Sequence, residues 1–279
     1  MSAISSLFSV ASKSVLITGG SRGIGLMFAK TYAANGANVT IAARSEDVLR
    51  EAAKELGEVS AANGHECKHT YLVGDSSSRE GCEELAAAAG EANGGSLDVL
   101  VNNAGAAWGE PFARKSGRMN WGFDKVLDLN VKAPFYLTHA CMDLLASPDR
   151  AEPGRVINVG SVVGLTPQSA PTHAYDASKA AIHHLTKKMS VDLAERNITC
   201  NAIAPGFVPS KMSAQLGTYA SFDDIAKQTP LGRLGNEDDM GGAALYLSSK
   251  AGAWVTGVIL NVDGGAVGGL QIKLADEDE

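Results

Sequence analysis

The chain has 279 residues, 45% of them hydrophobic and 20% charged, with a mean hydropathy of -0.02, so it is long and apolar enough to bury one sizeable core as a single domain. A net charge of -7 and a pI near 5.4, with no basic stripe or Lys/Arg block, argue against nucleic-acid partners and against binding to an anionic membrane surface. Cys67, Cys82, Cys141 and Cys200 are scattered without Cys-x-x-Cys or Cys/His ligand spacing, which supports neither a metal site nor a disulfide framework. No charged region precedes the short apolar patch within 1–13, and no run approaches about 18 apolar residues, so neither a secretory signal nor a membrane span is expected. The expectation is a soluble cytoplasmic protein.

After an N-terminal extension, 1–13, short apolar runs alternate with amphipathic stretches. The apolar run 14–18 is followed by a helical pattern over 23–34 and by a second apolar run over 38–42, the βαβ rhythm of a parallel sheet. Further strands are predicted at 68–73, 97–101, 155–159, 198–203 and 258–262, and helices at 46–62, 78–92, 120–146, 174–196 and 236–248. Seven strands joined by helical crossovers predict an α/β fold, a single doubly wound, Rossmann-like domain with a seven-stranded parallel sheet. Ligands in such sheets bind beyond the carboxyl ends of the strands. Residues 205–233 read as an insertion over that edge, a substrate lid, and 270–279 as an acidic tail ending in Asp276-Glu-Asp-Glu279.

The first strand runs into Thr18-Gly-Gly-Ser-Arg-Gly-Ile-Gly25. Between a strand and a helix, Gly19, Gly23 and Gly25 allow a tight turn, close approach of the backbone to a phosphate, and close helix–strand packing. The second strand ends in Ala43-Arg44. A site for the unphosphorylated dinucleotide offers an acid here to the ribose hydroxyls; instead Arg44, with Arg22 in the Gly-rich turn, offers two guanidinium forks suited to a 2′-phosphate.

Tyr175 and Lys179 stand four residues apart in His173-Ala-Tyr-Asp-Ala-Ser-Lys-Ala-Ala181, on one face of a predicted helix. The ammonium beside the phenol favours the phenolate. Bringing a phenol from a pKa of about 10 to about 7 takes roughly 4 kcal/mol, more than one exposed Lys supplies, so a second cation or burial of the site is required. Ser161 closes the apolar stretch 155–159 and so falls at the carboxyl edge.

Together with Asn102-Asn-Ala-Gly105, the Asn of Leu127-Asp-Leu-Asn130, and Pro205-Gly206 followed by Ser210, these motifs cover the chain from Val15 to Gly265. They resemble the short-chain dehydrogenase/reductase family, and within it the NADPH-dependent 3-oxoacyl reductases of the rhamnolipid-pathway type. The resemblance implies that Tyr175 gives the proton to a substrate carbonyl oxygen and that Ser161 polarises that oxygen. It implies further that Lys179 tunes Tyr175 and holds the nicotinamide ribose, and that Asn130 holds a water in a proton relay; the other reading of Asn130 is an amide that bonds backbone at a helix irregularity.

For NADPH/NADP the resemblance implies contacts from Gly19, Ser21, Arg22, Gly23, Ile24, Gly25, Arg44, Ser45, Asn103, Ala104, Gly105, Pro205, Gly206, Val208 and Ser210, besides Tyr175 and Lys179. Asp75 and Ser76 join this set at the adenine, although Asp75 equally suits a cap for the helix beginning at 78. Gly160 stands where the family often has a second Ser, and the interval from Ser161 to Tyr175 is one residue longer than is common, which bulges the loop 163–172. His173, His183 and His184 are expected in structural roles. The expected substrate is a small-molecule ketone, apolar or 3-oxoacyl, set against Trp108, Leu165, Phe207, Met212, Leu216, Tyr219 and Phe222, with Lys211 the nearby charge; Arg118, Lys125 and Lys132 read as a solvated face. A homotetramer is the family expectation.

Overall fold

Short runs of Val, Ile and Leu buried on both faces make the centre of the sheet, as parallel strands covered by helices require. In a computed structural model that describes residues 3–115, 120, 122–146, 152–213 and 221–268, these runs are β1 (Ser14–Thr18), β2 (Asn38–Ala43), β3 (His69–Val73), β4 (Val99–Asn102), β5 (Gly154–Val159), β6 (Ile198–Pro205) and β7 (Ile259–Val262). All pair in parallel in one sheet of order β3-β2-β1-β4-β5-β6-β7. The chain winds outward from β1 in one direction and from β4 in the other, so the topological switch lies between β1 and β4, where Val15 is level with both Val39 and Val99.

Helices α2 (Gly23–Ala34), α3 (Glu46–Ala62) and α10 (Glu237–Ser248) cover one face and bury Phe28, Tyr32, Leu49, Leu56, Met240 and Leu247 against it. On the other face α4 (Arg79–Ala92), α6 (Ala133–Ala140) and α8 (His173–Ala194) bury Leu85, Leu137 and Leu193. Each such side chain contributes roughly 1.5–3 kcal/mol. Helix starts follow the capping chemistry of the sequence: Ser78 accepts from Gly81 at α4, and Asn236 and Asp239 form a reciprocal capping box at α10.

Three segments differ from the sequence expectation. The predicted helix 120–146 is divided into α5 (Phe123–Leu127), a π-helical turn (Asp128–Lys132), α6 and α7 (Met142–Leu145). Pro134 has no N–H to give to the carbonyl four residues back, at Asn130, so the α register cannot run through this point. The extension 1–13 contains α1 (Ala3–Leu7), and Val10 is fully buried in the core, so it is not a loose leader to the sheet. Within 205–233 a further helix, α9 (Phe222–Gln228), packs Phe222 on Phe207 with ring centroids 5.4 Å apart. Residues 214–220 of the expected lid and the expected tail 270–279 lie outside the described residues. Among the described residues no helix is long and apolar enough to cross a membrane. The four cysteines are free thiols, three of them buried.

Candidate active site

The carboxyl end of β1 is tied to the loop after β4. Thr18 Oγ1 accepts from the backbone N–H groups of Asn103 (3.1 Å) and Ala104 (3.0 Å), and Asn103 Nδ2 donates back to the carbonyls of Thr18 (2.9 Å) and Gly19 (3.2 Å). The Gly-rich turn fits against this clamp only with glycine at Gly19 and Gly25. A Cβ on Gly25 would stand 2.3 Å from the Gly19 carbonyl oxygen, and Gly19 itself holds a positive φ of 64°. Helix α2 then begins at Arg22 with no side-chain cap and no acid in its first turn, so its first N–H groups and positive dipole end are left to meet an anion.

Arg22 and Arg44 are both exposed beside this turn, with Arg44 Nη1 4.0 Å from Asp75 Oδ2. Asp75 does not cap α4; that is done by Ser78, while Asp75 Oδ1 accepts from the Ser77 N–H. The uncapped helix start, the glycine-rich turn and the two guanidiniums suit a dinucleotide phosphate group.

On the other side of the switch point Ser161 follows β5, and Tyr175 lies near the start of α8, both lining the same cleft. One turn further on, Lys179 is buried, its Nζ donating to the Val159 carbonyl at 2.7 Å and standing 5.5 Å from the centre of the Tyr175 ring. Burial pushes the Tyr175 phenol up, the Ser161 hydrogen bond pulls it partly back, and Asp176 raises it again. Burial also brings Lys179 down to about 8. The sequence reading has the ammonium lowering the phenol. Desolvation outweighs that effect in the protein alone, because it disfavours the charged form of both partners, and the phenol is kept in its proton-bearing state.

Asn130, on the π-helical turn, is buried. Its Oδ1 accepts from the Ala106 N–H (2.8 Å), and its Nδ2 donates to the Ala106 carbonyl (2.9 Å) and to Ser178 Oγ (2.9 Å). Both amide hydrogens are thereby committed, and the side chain braces the loop after β4 against α8. These bonds are those of an amide that braces backbone at a helix irregularity.

A cleft of about 1300 Å³ joins these parts. Every predicted cofactor residue from Gly19 to Ser210 lines it, as do Ser161, Tyr175 and Lys179; Asn130 lies behind its wall. Of the expected apolar lining, Trp108, Phe207 and Met212 face the cleft, together with Lys211. Leu165 and Phe222 do not, Phe222 being turned onto Phe207, while Leu216, Tyr219 and Arg118 lie outside the described residues. Lys132 is paired with Asp128 at 2.7 Å on the exposed face.

Sequence reasoning missed a polar part of the wall. Asp124, Lys125 and Asp128 line the cleft, as do Gln168 and Thr172 of the lengthened loop. Thr172 Oγ1 donates to Asp176 Oδ1 (2.7 Å) and accepts from Gln168 Nε2 (2.8 Å). The signal was the spacing of Thr172 and Asp176, four apart across a helix start.

The family described as short chain dehydrogenase matches residues 13–220. A rhamnolipids biosynthesis 3-oxoacyl-[acyl-carrier-protein] reductase of Pseudomonas aeruginosa is 38% identical over 260 residues, 92% of this chain and 97% of the relative. Among solved structures, the Pseudomonas aeruginosa RhlG/NADP active-site complex superposes with a TM-score of 0.84 at 36% identity, covering 94% of this chain and 99% of that one. The actinorhodin polyketide ketoreductase with NADPH does so with a TM-score of 0.82 at 31% identity, covering 92% and 98%. The chain belongs to the short-chain dehydrogenase/reductase family. It is a nicotinamide-dependent oxidoreductase.

Proposed function

We propose that the protein is an NADPH-dependent carbonyl reductase that converts an apolar ketone, with a 3-oxoacyl thioester favoured, into a secondary alcohol. The observation that carries this reading is one cleft with two ends. At one, Arg22 and Arg44 flank an uncapped helix start; at the other, Ser161 and Tyr175 line the wall beside a buried Lys179.

The bound nicotinamide supplies a hydride. The chain's own groups handle the charge that develops on the carbonyl oxygen: Ser161 Oγ–H donates a hydrogen bond to it, and Tyr175 transfers its phenolic proton to it. Because burial holds Tyr175 protonated, the acid is in the state that reduction needs. Lys179 has one ammonium hydrogen on Val159 and two left for a ribose and for the phenolate that remains after transfer. Asn130 and Ser178, the latter donating to the Tyr175 carbonyl at 2.7 Å, hold the start of α8 at a fixed distance from the loop after β4. Trp108, Phe207 and Met212 provide the apolar wall for the rest of the ketone.

The polar group Gln168, Thr172, Lys125 and Lys211 in the same cleft favours a second reading, a hydroxylated or anionic substrate oxidised or reduced at a secondary carbon. Specificity constants for NADPH consumption with a 3-oxoacyl thioester, a β-keto ester, a cyclic diketone and a keto-sugar decide between the two; a keto-sugar turned over best overturns the apolar reading. We place the enzyme in the cytoplasm as a homotetramer. Phe135 on α6 and Val191 on α8 are exposed apolar groups on outward helix faces, and Trp254 is wholly exposed, surfaces that symmetric pairing covers. Light scattering giving a monomer mass at micromolar concentration refutes the assembly.

A further inference from the structure

His183 lies on α8 one turn beyond Lys179, is 4% exposed, and takes no part in the chemistry described above. Its Nε2 is the acceptor for the backbone N–H of Ser161 at 3.4 Å. The ring occupies the space beside Gly160, where a Cβ would stand 2.1 Å from Nε2 and 2.7 Å from Cδ2. Gly160 is therefore the residue that admits the imidazole, and the imidazole in turn receives the next N–H along the chain. Three further bonds of this corner are backbone or local. Gly160 N–H donates to the Ile203 carbonyl at 2.7 Å, the Ser161 carbonyl accepts from Gly164 at 3.0 Å, and Ser161 Oγ accepts from Val163 N–H at 3.4 Å. His183 is the side chain that fixes the Ser161 N–H from α8, the helix that also carries Tyr175 and Lys179.

We infer that His183, seated against Gly160, is a positioning residue that holds Ser161 in register with Tyr175, so that the hydroxyl reaches the substrate carbonyl oxygen. This rests on the reading of Ser161 given under Proposed function. An acceptor nitrogen requires a neutral ring. Burial, with Lys179 and Lys187 nearby, brings His183 down to about 4, so the ring stays neutral across the working range of the enzyme. The bond works through geometry: Ser161 leaves β5 in an extended conformation (φ -171°, ψ 153°) and starts a short 3-10 turn, Val162–Gly164. An unheld N–H at that bend would let the hydroxyl rotate away from Tyr175, and a misplaced polarising group costs rate while leaving cofactor affinity alone.

The test is a double-mutant cycle in full-length enzyme, using NADPH and the fastest ketone of the panel above. His183→Phe keeps an aromatic ring and removes the acceptor; His183→Gln restores an acceptor at the position of Nε2. His183→Phe is expected to lower kcat about tenfold, the effect of a lost bond to a buried N–H, with NADPH affinity by fluorescence unchanged and His183→Gln recovering most of the loss. In the Ser161→Ala background His183→Phe is expected to have no further effect on kcat, because the two act as one unit. Equal fold-losses in both backgrounds, or no loss in the wild-type background, overturn the inference. Gly160→Ala presses on the same contact from the other side. It is expected to reproduce the kcat loss and its dependence on Ser161, and it decides the matter should His183→Phe not fold. If Ser161→Ala itself leaves kcat unchanged, the reading of Ser161 fails instead.

Discussion

Lys179 Nζ stands 5.5 Å from the centre of the Tyr175 ring and gives a 2.7 Å hydrogen bond to the Val159 carbonyl at the end of β5. The fold thus inserts an ammonium between a strand end and a phenol where water is largely excluded. Both groups pay for this in desolvation: the phenol is driven up and the ammonium down to about 8.

The depressed Lys179 predicts a signed change of stability with pH. Its unfolded value is 10.5 and its folded value about 8, so between those two pH values the unfolded chain binds more protons than the folded one. Stability therefore rises with pH across this window, and the cost of the buried ammonium is fully present below it. In Lys179→Met this contribution is missing. Urea unfolding of the cofactor-free proteins at pH 8 and pH 10.5 is expected to give a wild-type-minus-variant difference that grows by up to roughly 3 kcal/mol over that range. A difference that is flat with pH refutes the assignment.

Tyr175→Phe deletes one hydroxyl and little volume. Reduction is expected to fall below about a hundredth of wild-type turnover, the low end of what a general acid contributes, with NADPH affinity nearly unchanged. Stopped-flow measurement of the hydride step separates the two, and retained turnover assigns the proton to another group.

Arg44 is exposed and its nearest acid is 4.0 Å away, an arrangement that leaves it available to a 2′-phosphate. Charge-assisted bonds of this kind are worth roughly 1.5–3 kcal/mol each, so NADPH is expected to be preferred over NADH by tenfold or more. Arg44→Ala is expected to remove at least that factor. Steady-state specificity constants for both cofactors check it; equal constants in the wild type would sink the proposal.

The sheet was legible because seven buried parallel strands are written as short apolar runs. The Gly-rich turn was legible because its glycines stand where a side chain cannot: a Cβ at Gly25 would lie 2.3 Å from the Gly19 carbonyl oxygen. Strand ends then carry Ser161 and Pro205 to the right edge without further information. The division of 120–146 was not legible, because helical periodicity is kept on both sides of Pro134, and one proline permits either a kink or a π turn. Nor was the balance at Tyr175: a Tyr-x-x-x-Lys spacing states the charges and not the burial, and here burial decides the direction. The same limit hid the polar wall. Gln168 and Thr172 meet Asp176 only because the loop folds back on the start of α8.

Asn130 gives the last prediction. Its amide makes three hydrogen bonds, two to the Ala106 backbone and one to Ser178, and Ser178 in turn donates to the Tyr175 carbonyl. A chain of bonds thus runs from the loop after β4 through the π-helical turn and Ser178 to Tyr175, the proposed proton donor. Asn130→Leu keeps approximate volume and leaves the Ala106 N–H and carbonyl without their partner in a buried setting. An unsatisfied buried group costs about 1–3 kcal/mol, so a loss on the order of 2–4 kcal/mol in unfolding free energy is expected. Asn130→Asp retains the acceptor for the Ala106 N–H but offers no donor to the Ala106 carbonyl, and it places a charge where only 2% of the residue is exposed; it is expected to be at least as destabilising at neutral pH, and to recover as the pH falls and the acid becomes protonated. If the role is bracing, kcat in both variants should fall together with Tyr175 placement, read as a weakened fluorescence response on NADPH binding. Full stability combined with lost activity in Asn130→Leu would instead assign the side chain a direct part in proton movement.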